Sequence, residues 1–116
     1  MGKEKPYLLS KEFLNSNMPF VRRTGLNIYF KLITEEKYVD KVFEVLDNLR
    51  SEKEYYVNMC ASWLLCDCFI KYRFKTLEYF KNNKTNSFII NKGISKCRDS
   101  FRVSKEDKEL LLNYKK

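Results

Sequence analysis

An aromatic residue, a β-branched residue, three variable positions and a small residue follow one another three times in this chain. The copies are Phe20-Val21 with Gly25, Tyr56-Val57 with Ala61, and Phe88-Ile89 with Gly93. Val21 and Val57 are 36 residues apart, and Val57 and Ile89 are 32 apart. That is the period of stacked helical hairpins, in which no single unit buries its apolar face alone. A small residue at the same place in each unit lets neighbouring helices approach closely. The expectation is a short all-α solenoid that acts through the surface its units line up along one side.

Composition narrows the alternatives. At 116 residues the chain is one domain near the small end of what supports a core, and 44% apolar residues argue against disorder. Three Gly and two Pro leave little room for the many turns of a β-sandwich or barrel. The net charge of +8 favours a polyanionic partner, whether DNA, RNA or an acidic membrane surface. The competing reading is that abundant Lys merely solvates helix faces. Cys60, Cys66, Cys68 and Cys97 form no CxxC and the chain has no His, so no zinc site and no cofactor are expected. They read as small buried thiols in a reducing, cytoplasmic setting. The longest apolar stretch, around Ala61 to Ile70, is interrupted by Asp67 and too short to span a bilayer.

Seven helical segments follow from the periodicity. They are expected at about Tyr7 to Asn15, Pro19 to Ile33, Glu36 to Leu49, Ser51 to Tyr72, Phe74 to Lys81, Ser87 to Ser100 and Lys105 to Asn113. Pro19 suits a first helical turn. Ser51-Glu52-Lys53-Glu54 has the form of a capping box at the start of the fourth. The fourth is the most apolar and is expected at the centre. Ser104 caps the seventh, with Glu106 and Asp107 in its first turn. No linker divides the chain, so residues 1–116 read as one domain. The first helix has no clear partner, as though a preceding unit were missing, and Leu8, Leu9 and Phe13 would then be exposed and drive homodimer formation.

The second, fourth and sixth helices are equivalent members of the repeat and should face the same side. Register places Asn27 opposite Trp63, with Arg23 one turn before Asn27, and brings Asn91 and Ser95 into the same row. Arg matches phosphate by bidentate hydrogen bonds, and Trp offers a flat face to sugar or base. Against this, Trp63 also fits a core tryptophan and Arg23 a solvated arginine. Arg22, about 100° round the helix, should reach a different surface.

These residues resemble a family. Tyr55-Tyr56-Val57-Asn58-Met59-Cys60-Ala61-Ser62-Trp63 is similar to the YYVxMAxAW segment of bacterial DNA alkylation repair proteins, the AlkD-like glycosylases. Ser100-Phe101-Arg102-Val103-Ser104-Lys105-Glu106-Asp107-Lys108-Glu109 is similar to their SYRVSKEDKE tail, and Phe20-Val21-Arg22-Arg23 to their F-V-x-R helix start. Asn91-Lys92-Gly93 echoes their YNKA segment, with Gly for Ala. The resemblance implies HEAT-like repeats around a cationic cleft for duplex DNA, and excision of N3- and N7-alkylated purines by hydrolysis. It implies that Arg23 contacts the DNA backbone and that Trp63 packs against the damaged nucleotide. The family's catalytic aspartate would fall about one repeat ahead of Arg23, before Met1, so the chain resembles the C-terminal half only. Asp67, four residues after Trp63, sits where the family is ordinarily just polar or acidic and reads as a surface acid.

Three functions remain open on this reading. The first is the C-terminal part of an alkylpurine DNA glycosylase, inactive alone. The second is a non-catalytic DNA-binding module using Arg23, Trp63, Asn27, Lys92, Lys96, Arg98 and Arg102. The third is a helical-repeat scaffold for a protein partner.

Overall fold

The computed structural model describes residues 2–116. Seven α-helices account for most of them: α1 (Glu4–Leu14), α2 (Pro19–Leu32), α3 (Val39–Asn48), α4 (Tyr55–Lys71), α5 (Arg73–Asn82), α6 (Ser87–Asp99) and α7 (Lys105–Leu111). Short 3-10 turns, Glu36–Tyr38 and Leu112–Tyr114, precede α3 and follow α7. The described residues contain no strand. The architecture is an all-α helical-repeat solenoid of two layers. One layer is α2, α4 and α6, with α4 packed along both neighbours and α1 laid against α2. The other is α3, α5 and α7. Phe43 of α3 stacks on Tyr79 of α5 at 4.4 Å between ring centroids, and Arg73 of α5 grips Asp107 of α7 through two hydrogen bonds of 2.7 Å.

The small residues of the repeat sit where helices come closest. A Cβ added at Gly25 would lie 3.0 Å from Phe13 Cβ and 3.1 Å from the Ser10 carbonyl of α1. One added at Gly93 would lie 2.9 Å from Cδ2 of Leu65 in α4. Ala61 is fully buried. Between the layers lie Leu26, Tyr29, Leu32 and Ile33, then Val42 and Leu46, Leu64, Leu65 and Phe69, and Ile90, Ile94 and Leu111. Helix α4 is apolar round most of its circumference because it is covered on several sides.

The capping box expected at Ser51 does not form. Helix α4 begins four residues later, at Tyr55, with Glu54 as N-cap and no side-chain cap. Glu54, the acid that box would place inside the first turn, is itself the extended N-cap residue, with ψ 124°, while the Glu52 carboxylate accepts from Nε and Nη2 of Arg22 at 2.8 and 2.7 Å and from the Glu54 amide at 3.2 Å. The bidentate form makes this a strong ion pair. Arg22 also donates to the Ser16 carbonyl at 3.0 Å. The start of α2 is thereby fixed to the segment that leads into α4.

A second tie joins α4 to α6. Asn86 caps α6, its side-chain oxygen accepting from the Ile89 amide at 2.9 Å. Its Nδ2 donates to the Leu49 carbonyl and to Oδ1 of Asn58, at 2.9 and 3.1 Å, and Asn58 Nδ2 reaches the Glu52 carbonyl at 3.1 Å. These buried polar groups are satisfied, as burial demands. Ser104 caps α7 as expected, accepting from the Asp107 amide at 3.1 Å. At the other end, Leu8 and Leu9 of α1 are exposed. Phe13, expected exposed with them, is half-buried because its Cβ meets Gly25.

The Arg22–Glu52 side chains are only 16% and 7% exposed. Burial alone would raise the Glu52 pKa, but the hydrogen bond from Arg22, the backbone amides of Glu54 and Lys53 and the Arg22 charge bring it below the ordinary carboxylate value. Its contribution is therefore complete above the ordinary glutamate range and is lost as pH falls through the lowered native value. Arg22→Ala leaves Glu52 buried and unpaired, and should cost about 3 kcal/mol, or roughly 10–15 °C in Tm. Thermal melts at pH 7 and pH 3 check this: the deficit should shrink at pH 3, and an equal deficit at both would contradict the pairing.

Candidate nucleic-acid interface

The face of α2, α4 and α6 carries a chain of hollows rather than one pocket. The first, of about 520 Å³, is lined by Arg23, Asn27 and Phe30 of α2 and by Tyr55, Tyr56, Met59, Cys60 and Trp63 of α4. The second, of about 360 Å³, shares Phe30 and Trp63 with it and continues to Asp67, Lys96, Phe101 and Arg102. A third holds Phe88, Asn91, Lys92, Ser95 and Lys115. Trp63, half exposed, is the wall common to the first two.

Arg23 and Trp63 come from successive units and meet in the first hollow. The helical period does this: Arg22 turns to Glu52, and Arg23, one residue on, turns to the groove. The Cys60 thiol donates to Oδ1 of Asn27 at 3.3 Å. That bond orients the amide with its N–H groups as the part open to a ligand. Burial pushes the Cys60 thiol up to about 11, with the Arg23 charge opposing, so it stays a protonated donor at neutral pH. All four cysteines are buried and free, and the described residues hold no cluster suited to a metal.

The other expected residues divide. Lys96 lies over the Trp63 ring, its Nζ 4.6 Å from the centroid, a cation–π contact that keeps its charge on the groove wall. Arg102 is exposed at the rim of the second hollow. Lys92 lines the third. Asn91 and Ser95 do not join Arg23, Asn27 and Trp63 in one row; they line the third hollow beside Lys92. Asn91 is engaged there by the C-terminal residues, exchanging two hydrogen bonds with the backbone of Lys116, at 2.9 and 2.8 Å. Arg98 faces α7 instead of a ligand. Its Nη1 donates to the Lys108 carbonyl at 2.6 Å and lies 3.6 Å from Glu109. Asp67 is paired with Lys71 at 3.3 Å, and no carboxylate lines the first hollow.

Sequence reasoning missed the aromatic walls. Tyr55 packs edge-on against both Tyr56 and Phe88, at 5.2 and 5.8 Å, so a continuous aromatic strip joins the first and third hollows. The repeat was its signal. The aromatic member of each copy is open to solvent, Phe20 70% exposed, Tyr56 69% exposed and Phe88 partly exposed, while Val57 and Ile89 beside them are fully buried.

No protein-family model, curated protein or solved structure matches the chain. No described helix is long and apolar enough to cross a membrane.

Proposed function

We propose that this chain binds DNA along the α2–α4–α6 face as a non-catalytic module; the resemblance to alkylpurine glycosylases supports DNA as the partner. The observation that carries the reading is the first hollow, where Arg23 and Trp63 from successive repeats stand together with aromatic walls and no carboxylate. Lys92, Lys96 and Arg102 extend positive charge along the same face. Arginine and lysine neutralise phosphates and release counterions, which gives affinity without sequence choice. Hydrolysis of a glycosidic bond requires a carboxylate or equivalent beside the developing oxocarbenium ion. Asp67, the acid nearest Trp63 in sequence, is held by Lys71, so release of base by this chain is not part of the proposal.

Duplex DNA should bind weakly at low salt. With four phosphate-facing cations, log Kd plotted against log salt should have a slope of about 3 to 4. Arg23→Ala should lower that slope by about 1. Fluorescence anisotropy with a labelled duplex measures both, and an affinity indifferent to salt and to Arg23 would refute the assignment.

We also propose that the chain pairs with a second copy through α1, where Leu8 and Leu9 stand uncovered. Light scattering after size exclusion should give a dimer that Leu8→Lys converts to a monomer; a monomer at high concentration would end this idea.

A further inference from the structure

We propose that the DNA held on this face is a single strand, with bases stacked on the exposed aromatics Tyr56, Trp63, Phe88 and Phe101 and phosphates placed against the cation beside each. The proposal rests on the DNA-binding reading and specifies the form of the ligand.

The aromatic of the repeat is the second residue of its helix in all three copies: Phe20 in α2, Tyr56 in α4 and Phe88 in α6. A packing residue repeated three times should be buried, but two of these are about 70% exposed and the third is partly so. The core does not require them there, because the β-branched residue that follows supplies the buried contact in α4 and α6. Tyr55 fills the space between Tyr56 and Phe88, and the half-exposed Trp63 and 94% exposed Phe101 continue the line along the other hollows.

Tyr56, Trp63, Phe88 and Phe101 each have a cation at hand. Arg23 shares the first hollow with Tyr56, Lys96 lies over Trp63, Lys92 lines the third hollow with Phe88, and Arg102 lines the second with Phe101. Two acids, Asp67 and Asp99, also border the second hollow; Asp67 is paired with Lys71.

A duplex presents phosphates and groove edges to such a face and keeps its base faces covered by one another. The exposed aromatics would then touch only sugar, and their apolar area would go unused. An unpaired strand offers π-faces and phosphates in alternation, which matches aromatic and cation in alternation.

The test compares a labelled single-stranded DNA with its own duplex and with RNA of the same sequence, by anisotropy at one salt concentration. Single-stranded DNA should bind at least about fivefold more tightly than the duplex, given the energy of stacking even one base. Tyr56→Leu, which keeps the apolar bulk and loses the ring, should weaken it about 5- to 100-fold. Tyr56→Phe should restore it, and circular dichroism should show unchanged helicity in both. A duplex bound as tightly as the single strand, or a Tyr56→Leu protein that binds normally, overturns the single-strand inference and leaves DNA binding standing. Tighter binding of RNA overturns the choice of DNA. No binding to any nucleic acid removes the underlying reading as well.

Discussion

Two polar ties set how far each helix of the groove layer slides along its neighbour. Arg22 and Glu52 fix the start of α2 to the entry of α4, and Asn58 and Asn86 fix the start of α4 to the start of α6. Apolar packing does not fix that displacement by itself, because hydrophobic burial is non-directional. Bidentate hydrogen bonds and a satisfied amide network are directional, and weaken steeply as their angles depart from linear. With the helix starts held level, residues at equal distances from them come side by side. Tyr56 and Phe88 then join one aromatic strip through Tyr55, and Asn27 of α2 and Trp63 of α4 line one hollow, with Arg23 one turn before Asn27.

Close approach is the other half of the arrangement. Gly25 and Gly93 remove the side chain where α2 meets α1 and where α6 meets α4. The ties set position along the helices, and the small residues set the distance between them. The groove depends on both, since its walls come from different helices and its lining contains no segment that could assemble it alone.

Much of this was legible in the sequence, for identifiable reasons. Helix content, the central place of α4, the cap at Ser104 and the divergent directions of Arg22 and Arg23 follow from local periodicity and chemistry. What was not legible depends on partners distant in the chain. Ser51 to Glu54 read as a helix start until Arg22, thirty residues before Glu52, takes the Glu52 carboxylate and the helix begins only at Tyr55. Arg98 reads as a free cation until α7 folds back and presents the Lys108 carbonyl. Asn91 reads as a groove residue until the terminal Lys116 backbone reaches it. The aromatic positions show a different failure. Their repetition was plain, but burial and exposure have the same spacing in sequence, and only the neighbouring helices decide between them.

Trp63 is the only tryptophan in the chain, so its emission reports on the groove wall without labelling. The most direct test of the account is to follow that emission during a titration with DNA. If Arg23 and Trp63 form one binding wall, emission should be quenched saturably, and Arg23→Ala should move the midpoint to several-fold higher DNA concentration. DNA that binds by an independent measure while leaving Trp63 emission unchanged would show that the groove is not where the ligand sits.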